Sequence, residues 1–389
     1  MKTGAGMKKR LLIAHPNLSA PGGGNAVAAW ALQALRDEYA VTLATLEPVD
    51  LEKTNRWFGT ALRDGDFEVA VAKAAYRKLA NCLPTRGALL QCGVLMRWVR
   101  ALDRRRRFDV LLGTENEIDF RRVGLQYVHY PCRYYPRPDL DLKWYHKFPG
   151  VVPLYRAACN ALSGSDDEGM IRNVSITNSK WTAERIRSYY GVRSHVLYPP
   201  VPGEFPEVPW EQRHLAAVGL GRMDQVKRWE LAIEIADRVR RRGHDFGLTI
   251  IGHRYDAGYE KMLQSLAAER QWVRLLHDLD RTEMAREVAS HRFGIHTMEN
   301  EHFGIAPAEL QRAGCIPFVH RSGGPIEIVG ETESLMFQMA EEGAEKIAAA
   351  IEDAAHASVL RAGAEERREW FTAEKFCEGL RGIVGGFEG

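Results

Sequence analysis

The sequence predicts an α/β protein of two doubly wound, Rossmann-like domains, and three observations predict it. Short apolar or β-branched runs alternate with helical stretches, the alternation begins again after residue 200, and five of the 17 prolines fall within eleven residues at that restart. In the first half the runs are Leu11 to Ala14, Val41 to Leu46, Phe108 to Leu112, Leu125 to Tyr130, Val174 to Thr177 and His195 to Tyr198. In the second half they are Leu215 to Gly219, Leu248 to Gly252, Val273 to Leu276, Phe293 to Thr297 and Ile316 to His320. Runs this short and apolar fit parallel strands covered by helices on both faces. Proline fixes φ and has no N–H for a ladder, so Tyr198-Pro199-Pro200-Val201-Pro202 reads as a stiff connector. The boundary falls there, giving a first domain over 1–200 and a second over 203–366. A helix is expected over Arg228 to Arg241, with Leu231, Ile235 and Val239 on its buried face.

Composition bounds the partners. With 45% apolar and 27% charged residues in 389, the chain is globular rather than disordered or fibrous. No apolar segment approaches the roughly 20 residues of a membrane span, and Leu11 to Ala14 is too short for a signal-peptide core, so a cytoplasmic protein is expected. Six cysteines (Cys82, Cys92, Cys132, Cys159, Cys315, Cys377) form no C-x-x-C pair, which predicts buried free thiols and no metal site. The net charge of +2 conceals an asymmetry: residues 1–200 carry 30 Lys and Arg against 19 Asp and Glu, residues 201–389 carry 23 against 32. A basic half suits an anionic acceptor or peripheral contact with the inner face of a membrane, while Arg104-Arg105-Arg106-Arg107 by itself reads more simply as a solvated helix end. No nucleic-acid partner is expected.

Four loops carry the chemistry. Gly22-Gly23-Gly24-Asn25 lies between the first run and an Ala-rich helix, Ala26 to Leu35, where glycines let backbone approach an anion at a helix start; a bare structural loop fits as well. Gly221-Arg222 through Lys227 follows the first run of the second half, and two cations five residues apart suit a diphosphate, or else a surface turn. In His296-Thr297-Met298-Glu299-Asn300-Glu301-His302-Phe303-Gly304-Ile305-Ala306-Pro307-Ala308-Glu309, Pro307 suits the first helical position. That puts Glu301 in the loop and Glu309 in the first turn, either as ligand-binding acids or as solvated helix-start charges. Ser322-Gly323-Gly324-Pro325 would close the far side of that pocket. His129, at the end of a strand, is either a structural hydrogen-bonder or a group at a cleft mouth.

These blocks, with His15-Pro16, Tyr127-Val128-His129-Tyr130-Pro131 and Asn178-Ser179-Lys180-Trp181-Thr182, resemble the retaining GT-B glycosyltransferases of family 4. Within that family the chain is most similar to the α-1,2-mannosyltransferases that extend dolichol-linked oligosaccharide. The resemblance implies two Rossmann-like domains facing a central cleft, with a C-terminal helix over 367–389 crossing back to the first. Trp370, Phe371 and Phe376 would anchor that helix by burial. It implies transfer of a hexose, mannose from GDP-mannose, to a glycan, lipid-linked glycan or small glycosylated acceptor, without metal or other cofactor. Arg222 and Lys227 would then face the diphosphate, Glu309 the ribose, Glu301 the sugar, and His129 the sugar's 6-position. Gly22, Gly23, Gly24, Gly221, Phe303, Gly304 and Ile305 would line the donor. Asn25 would meet the acceptor, although relatives commonly carry an acid beside it. Tyr134, Tyr135 and Trp144, in a segment mixing cations and aromatics, would form an acceptor loop. The alternatives are a UDP-sugar donor, a sugar-nucleotide 2-epimerase, which lacks the block from Asn300 to Gly304, and a non-catalytic nucleotide-sugar-binding protein. The last predicts loss of Arg222, Lys227, Glu301 or Glu309, and all are present.

Overall fold

The computed structural model describes residues 8–82, 88–131 and 148–387. They form two compact units, one running to Pro202 and resuming at Ala373, the other Gly203–Thr372. The described strands of the first unit are β1 (Arg10–Ala14), β2 (Ala40–Thr45), β3 (Glu68–Val71), β4 (Val110–Gly113), β5 (Leu125–Val128), β6 (Val174–Thr177) and β7 (Ser194–Val196). They pair in the order 3-2-1-4-5-6-7, all parallel. The second unit has β8 (His214–Leu220), β9 (Gly247–Gly252), β10 (Val273–His277), β11 (His291–His296), β12 (Ile316–His320) and β13 (Met336–Phe337), in the order 10-9-8-11-12-13, again parallel. Two doubly wound sheets are therefore present, as the alternating runs require.

Alternate residues of a strand face opposite layers, and the cores follow that rule. Leu11 and Ile13 pack with Val27, Leu32 and Phe376 on one side of the first sheet, while Leu12 and Ala14 pack with Val94, Leu95 and Val99 on the other. In the second unit the helix Trp229–Arg241 buries Leu231, Ile235 and Val239 against Ala217, Ile250 and Phe293. Arg104, Arg105 and Arg106 occupy the last turn of the helix Ala88–Arg106, where cations complement the helix dipole. The described cysteines are free thiols, but Cys82 is exposed rather than buried.

The return to the first unit starts at Ala373 rather than 367. Phe371 is buried beside Phe303, with ring centroids 5.6 Å apart, and so is held by the second unit. Trp370 is 49% exposed, its ring covered by Arg367 at 4.4 Å, and is not a buried anchor. Phe376, Leu380 and Val384 on the helix Ala373–Gly385 enter the first core.

Candidate functional site

In an open parallel sheet, ligands bind beyond the carboxyl ends of the strands where the winding reverses. In the second unit that point lies between β8 and β11. The loop after β8 is seated by close contact: a Cβ on Gly219 would lie 2.5 Å from the Trp229 ring, and one on Gly252 only 1.7 Å from the carbonyl oxygen of Gly221. Buried Trp229 donates its indole N–H to the carbonyl of Arg222 at 3.0 Å, and Asp224 caps the turn Gln225–Lys227. Lys227 is thereby turned inward, its side chain 13% exposed, with Nζ ion-paired to Glu301 and 3.2 Å from Met298 Sδ. Arg222 takes a different course, 48% exposed, 3.5 Å from Asp224 and 4.3 Å from the ring centroid of Tyr255.

The loop after β11 ends at Gly304, whose φ of 95° caps the helix Ile305–Arg312. The helix therefore starts two residues before Pro307, and Glu309 lies beyond its first turn. Proline is tolerated there because the first four N–H groups have no helical partner in any case. Glu309 is paired with Arg281, the first residue of the helix Arg281–Ala289. Phe303 is 2% exposed against Phe371, so its ring is a core contact and not a lining of the donor site. Ser322-Gly323-Gly324 packs directly onto this loop. Gly323 adopts φ 76° with the carbonyl oxygen of Glu301 2.2 Å from where a Cβ would stand, and the Gly324 N–H donates to that same oxygen at 2.8 Å.

Electrostatics tie these loops together. Burial opposes the charge of Glu301, but Lys227, with His296 and His302 beside it, holds the carboxyl down at about 2. His296, 1% exposed with Nε2 3.7 Å from Glu301 Oε2, is pushed down to about 3 by burial and by Lys227. Arg228 pairs with Glu299, whose Oε1 is also 3.6 Å from His320 Nε2. Reasoning from the sequence missed Arg228, Arg281, His296 and His320 as partners. His296 stood inside a quoted motif without a role, and its position as the last residue of a strand was the available signal.

In the first unit the winding reverses between β1 and β4. The helix after β1 is Gly23–Leu35, three residues longer than expected, with Gly22 as its cap. Gly24 brings the helix start close to two polar side chains, a Cβ there standing 3.2 Å from Glu115 Oε2 and 3.4 Å from His129 Nε2. Asn25 does not present a free amide to an acceptor: Oδ1 accepts from His15 Nε2 at 2.8 Å and Nδ2 donates to the carbonyl of Ala20 at 2.7 Å. His15 Nδ1 lies 3.0 Å from Thr114 Oγ1, and burial pushes its imidazole down to about 4. His129 Nε2 donates to the carbonyl of Thr114 at 3.1 Å; burial lowers its pKa while Glu115 acts the other way. Burial in turn raises the carboxyl of Glu115, an acid not singled out from sequence although it closes the strand-end run Gly113-Thr114-Glu115. Tyr134, Tyr135 and Trp144 lie outside the described residues.

Residues 204–367 match the family Glycosyl transferases group 1. The chain is 33% identical over 176 residues to the GDP-Man:Man(3)GlcNAc(2)-PP-Dol alpha-1,2-mannosyltransferase of Candida glabrata, covering 41% of this chain and 35% of that protein. It is 27% identical over 218 residues to the protein of the same name from Mus musculus, covering 51% and 43%. It thus spans less than half the length of these relatives. Its fold is similar to the crystal structure of Anabaena Alr3699/HepE in complex with UDP-glucose, with a TM-score of 0.66 at 13% identity over 97% of this chain and 100% of that one. It is likewise similar to WaaG, a glycosyltransferase involved in lipopolysaccharide biosynthesis, with a TM-score of 0.65 at 14% identity over 97% and 100%. Among the described residues no helix is long and apolar enough to cross a membrane.

Proposed function

We propose that this chain, whose second unit is a glycosyl transferases group 1 domain on a fold shared with solved GT-B glycosyltransferases, moves mannose from GDP-mannose to a glycan or lipid-linked glycan. The observation that carries the reading is the inward-facing Lys227–Glu301 pair where the second sheet reverses. An ammonium there suits a diphosphate, and the carboxylate beside it suits sugar hydroxyls. The donor is chosen because the matched mannosyltransferases carry GDP-mannose in their names.

In this reading Lys227 and Arg222 stabilise the departing diphosphate, which asks for no divalent cation. Glu309 receives the ribose, Glu301 the hexose, and the backbone of Gly221, Gly304 and Ile305 lies against the donor. Gly22, Gly23, Gly24 and His129 belong to the same reaction in the first unit, whose basic balance suits a phosphate-bearing acceptor and a peripheral place at the inner face of a membrane. The bond from C1 to the phosphate oxygen breaks as a bond from C1 to the acceptor oxygen forms on the same face. The acceptor's hydroxyl proton passes to the leaving phosphate, so the anomeric configuration is retained without an enzyme nucleophile.

Thermal shift against GDP, UDP, ADP and their sugars, with and without EDTA, tests this. GDP and GDP-mannose near a hundred times their Kd should stabilise the protein by about 3 kcal/mol, a shift of several degrees, unchanged by EDTA. A shift for UDP-glucose alone would move the donor to the UDP class, and one abolished by EDTA would overturn the metal-free mechanism.

A further inference from the structure

Two nitrogens stand near Glu301 Oε2 on opposite terms. Lys227 Nζ is ion-paired with it, whereas His296 Nε2 stands 3.7 Å away, buried and without a hydrogen-bond partner among the described residues. A buried ring nitrogen left unpaired costs free energy, and in the Nε2–H tautomer the Glu301 carboxylate can accept from it. Closing the gap to an ordinary hydrogen bond takes roughly 0.8 Å, within the play of a side-chain torsion. Both ends of that motion are prepared. Glu301 is anchored through its carbonyl by the Gly324 N–H, while its carboxylate is paired with a flexible lysine; His296 is fixed on β11 between two paired strands.

Resting on the function proposed above, we infer that His296 is a positioning residue for Glu301, whose carboxylate its Nε2–H takes over as Lys227 turns to the donor's diphosphate. A neutral imidazole suits the task, because it carries a single N–H and adds no charge beside Lys227. The groups facing it keep it neutral: burial and the cation of Lys227, with His320 behind, outweigh the pull of Glu301. Lys227 can then leave the carboxylate with one hydrogen bond still on it, and Glu301 keeps its orientation toward the sugar.

The test uses His296→Leu, which removes the donor, and His296→Gln, which restores an N–H near the Nε2 position. Steady-state kinetics with GDP-mannose and equilibrium titrations with GDP and GDP-mannose are read beside melting temperature. Leu should lower kcat about ten- to a hundredfold and weaken GDP-mannose relative to GDP, with GDP affinity within about threefold of wild type, as expected for a lost bond to a charged group. Gln should recover most of the loss. Normal kcat in Leu, equal defects in Leu and Gln, or parallel loss of GDP binding would overturn the role of His296 while the wild type still transfers mannose. A wild type that binds no nucleotide would instead remove the function on which the inference rests.

Discussion

At the reversal point of the second sheet acids meet cations, Lys227 with Glu301, Arg228 with Glu299 and Arg281 with Glu309; at that of the first, His15, Thr114, Asn25 and His129 are joined through neutral hydrogen bonds. The same winding thus carries two kinds of candidate site. One is pre-charged, so an anionic ligand can exchange for an internal acid at little cost in reorganisation. The other, with its imidazoles held neutral and its carboxyl at Glu115 pushed toward protonation, suits hydroxyl groups. Topology sets where a site forms, and the local balance of charge sets what it takes.

Lys227→Ala tests the contrast most severely. It leaves Glu301, whose side chain is 17% exposed, without its counter-charge, which should cost up to about 3 kcal/mol of stability. On the proposed function it should also cost about two to three orders of magnitude in kcat, through loss of a contact to the leaving diphosphate. Adding Glu301→Gln should restore melting but not turnover. Near-normal turnover of Lys227→Ala would remove the diphosphate assignment.

Acid sharpens the comparison at intermediate size. His15 in the first unit is held at about 4, and His291 and His296 in the second at about 4 and about 3, against 6.5 for the free group. Above pH 6.5 these are neutral folded or unfolded. As the pH falls from 6.5 toward 4 the unfolded chain takes protons first, so stability falls by up to about 1.4 kcal/mol per pH unit for each imidazole. Glu301 stays ionised through this window and does not offset the loss. Hydrogen exchange at pH 7 and pH 5 should show the second unit losing protection sooner, and identical protection at both values would break the contrast.

The smallest effect belongs to Asn25→Ala. Its amide is spent on His15 and Ala20, so the change should cost about 1 kcal/mol in a thermal melt and leave the acceptor KM unaltered. A selective rise in that KM would return Asn25 to the acceptor.

The fold was legible because parallel strands buried on both faces are written as unbroken apolar runs, of which β4 (Val110–Gly113) is a case. The strands passed over were short sheet-edge strands, β3 with exposed Glu68 and Val69 and β13 with only two residues. At the site, residue types were legible and partners were not. Nothing local to Glu309 points to Arg281, 28 residues earlier, or from Glu299 to Arg228, 71 residues away. Such pairs exist only after the chain has wound a sheet between them. The start of the helix Ile305–Arg312 was misplaced because Pro307 is equally at ease anywhere in a first turn, whereas the φ of Gly304 is a tertiary fact.

The helix Ala373–Gly385 has a consequence for synthesis. The core begun by Leu11 and Ile13 is closed by Phe376, Leu380 and Val384, so no nascent chain can finish its first unit until that helix has been made. The second unit, ending at Thr372, is complete in sequence while the first still lacks the helix that closes its core. The unit begun earliest is therefore the one completed last, and a chain lacking that helix would leave its core open.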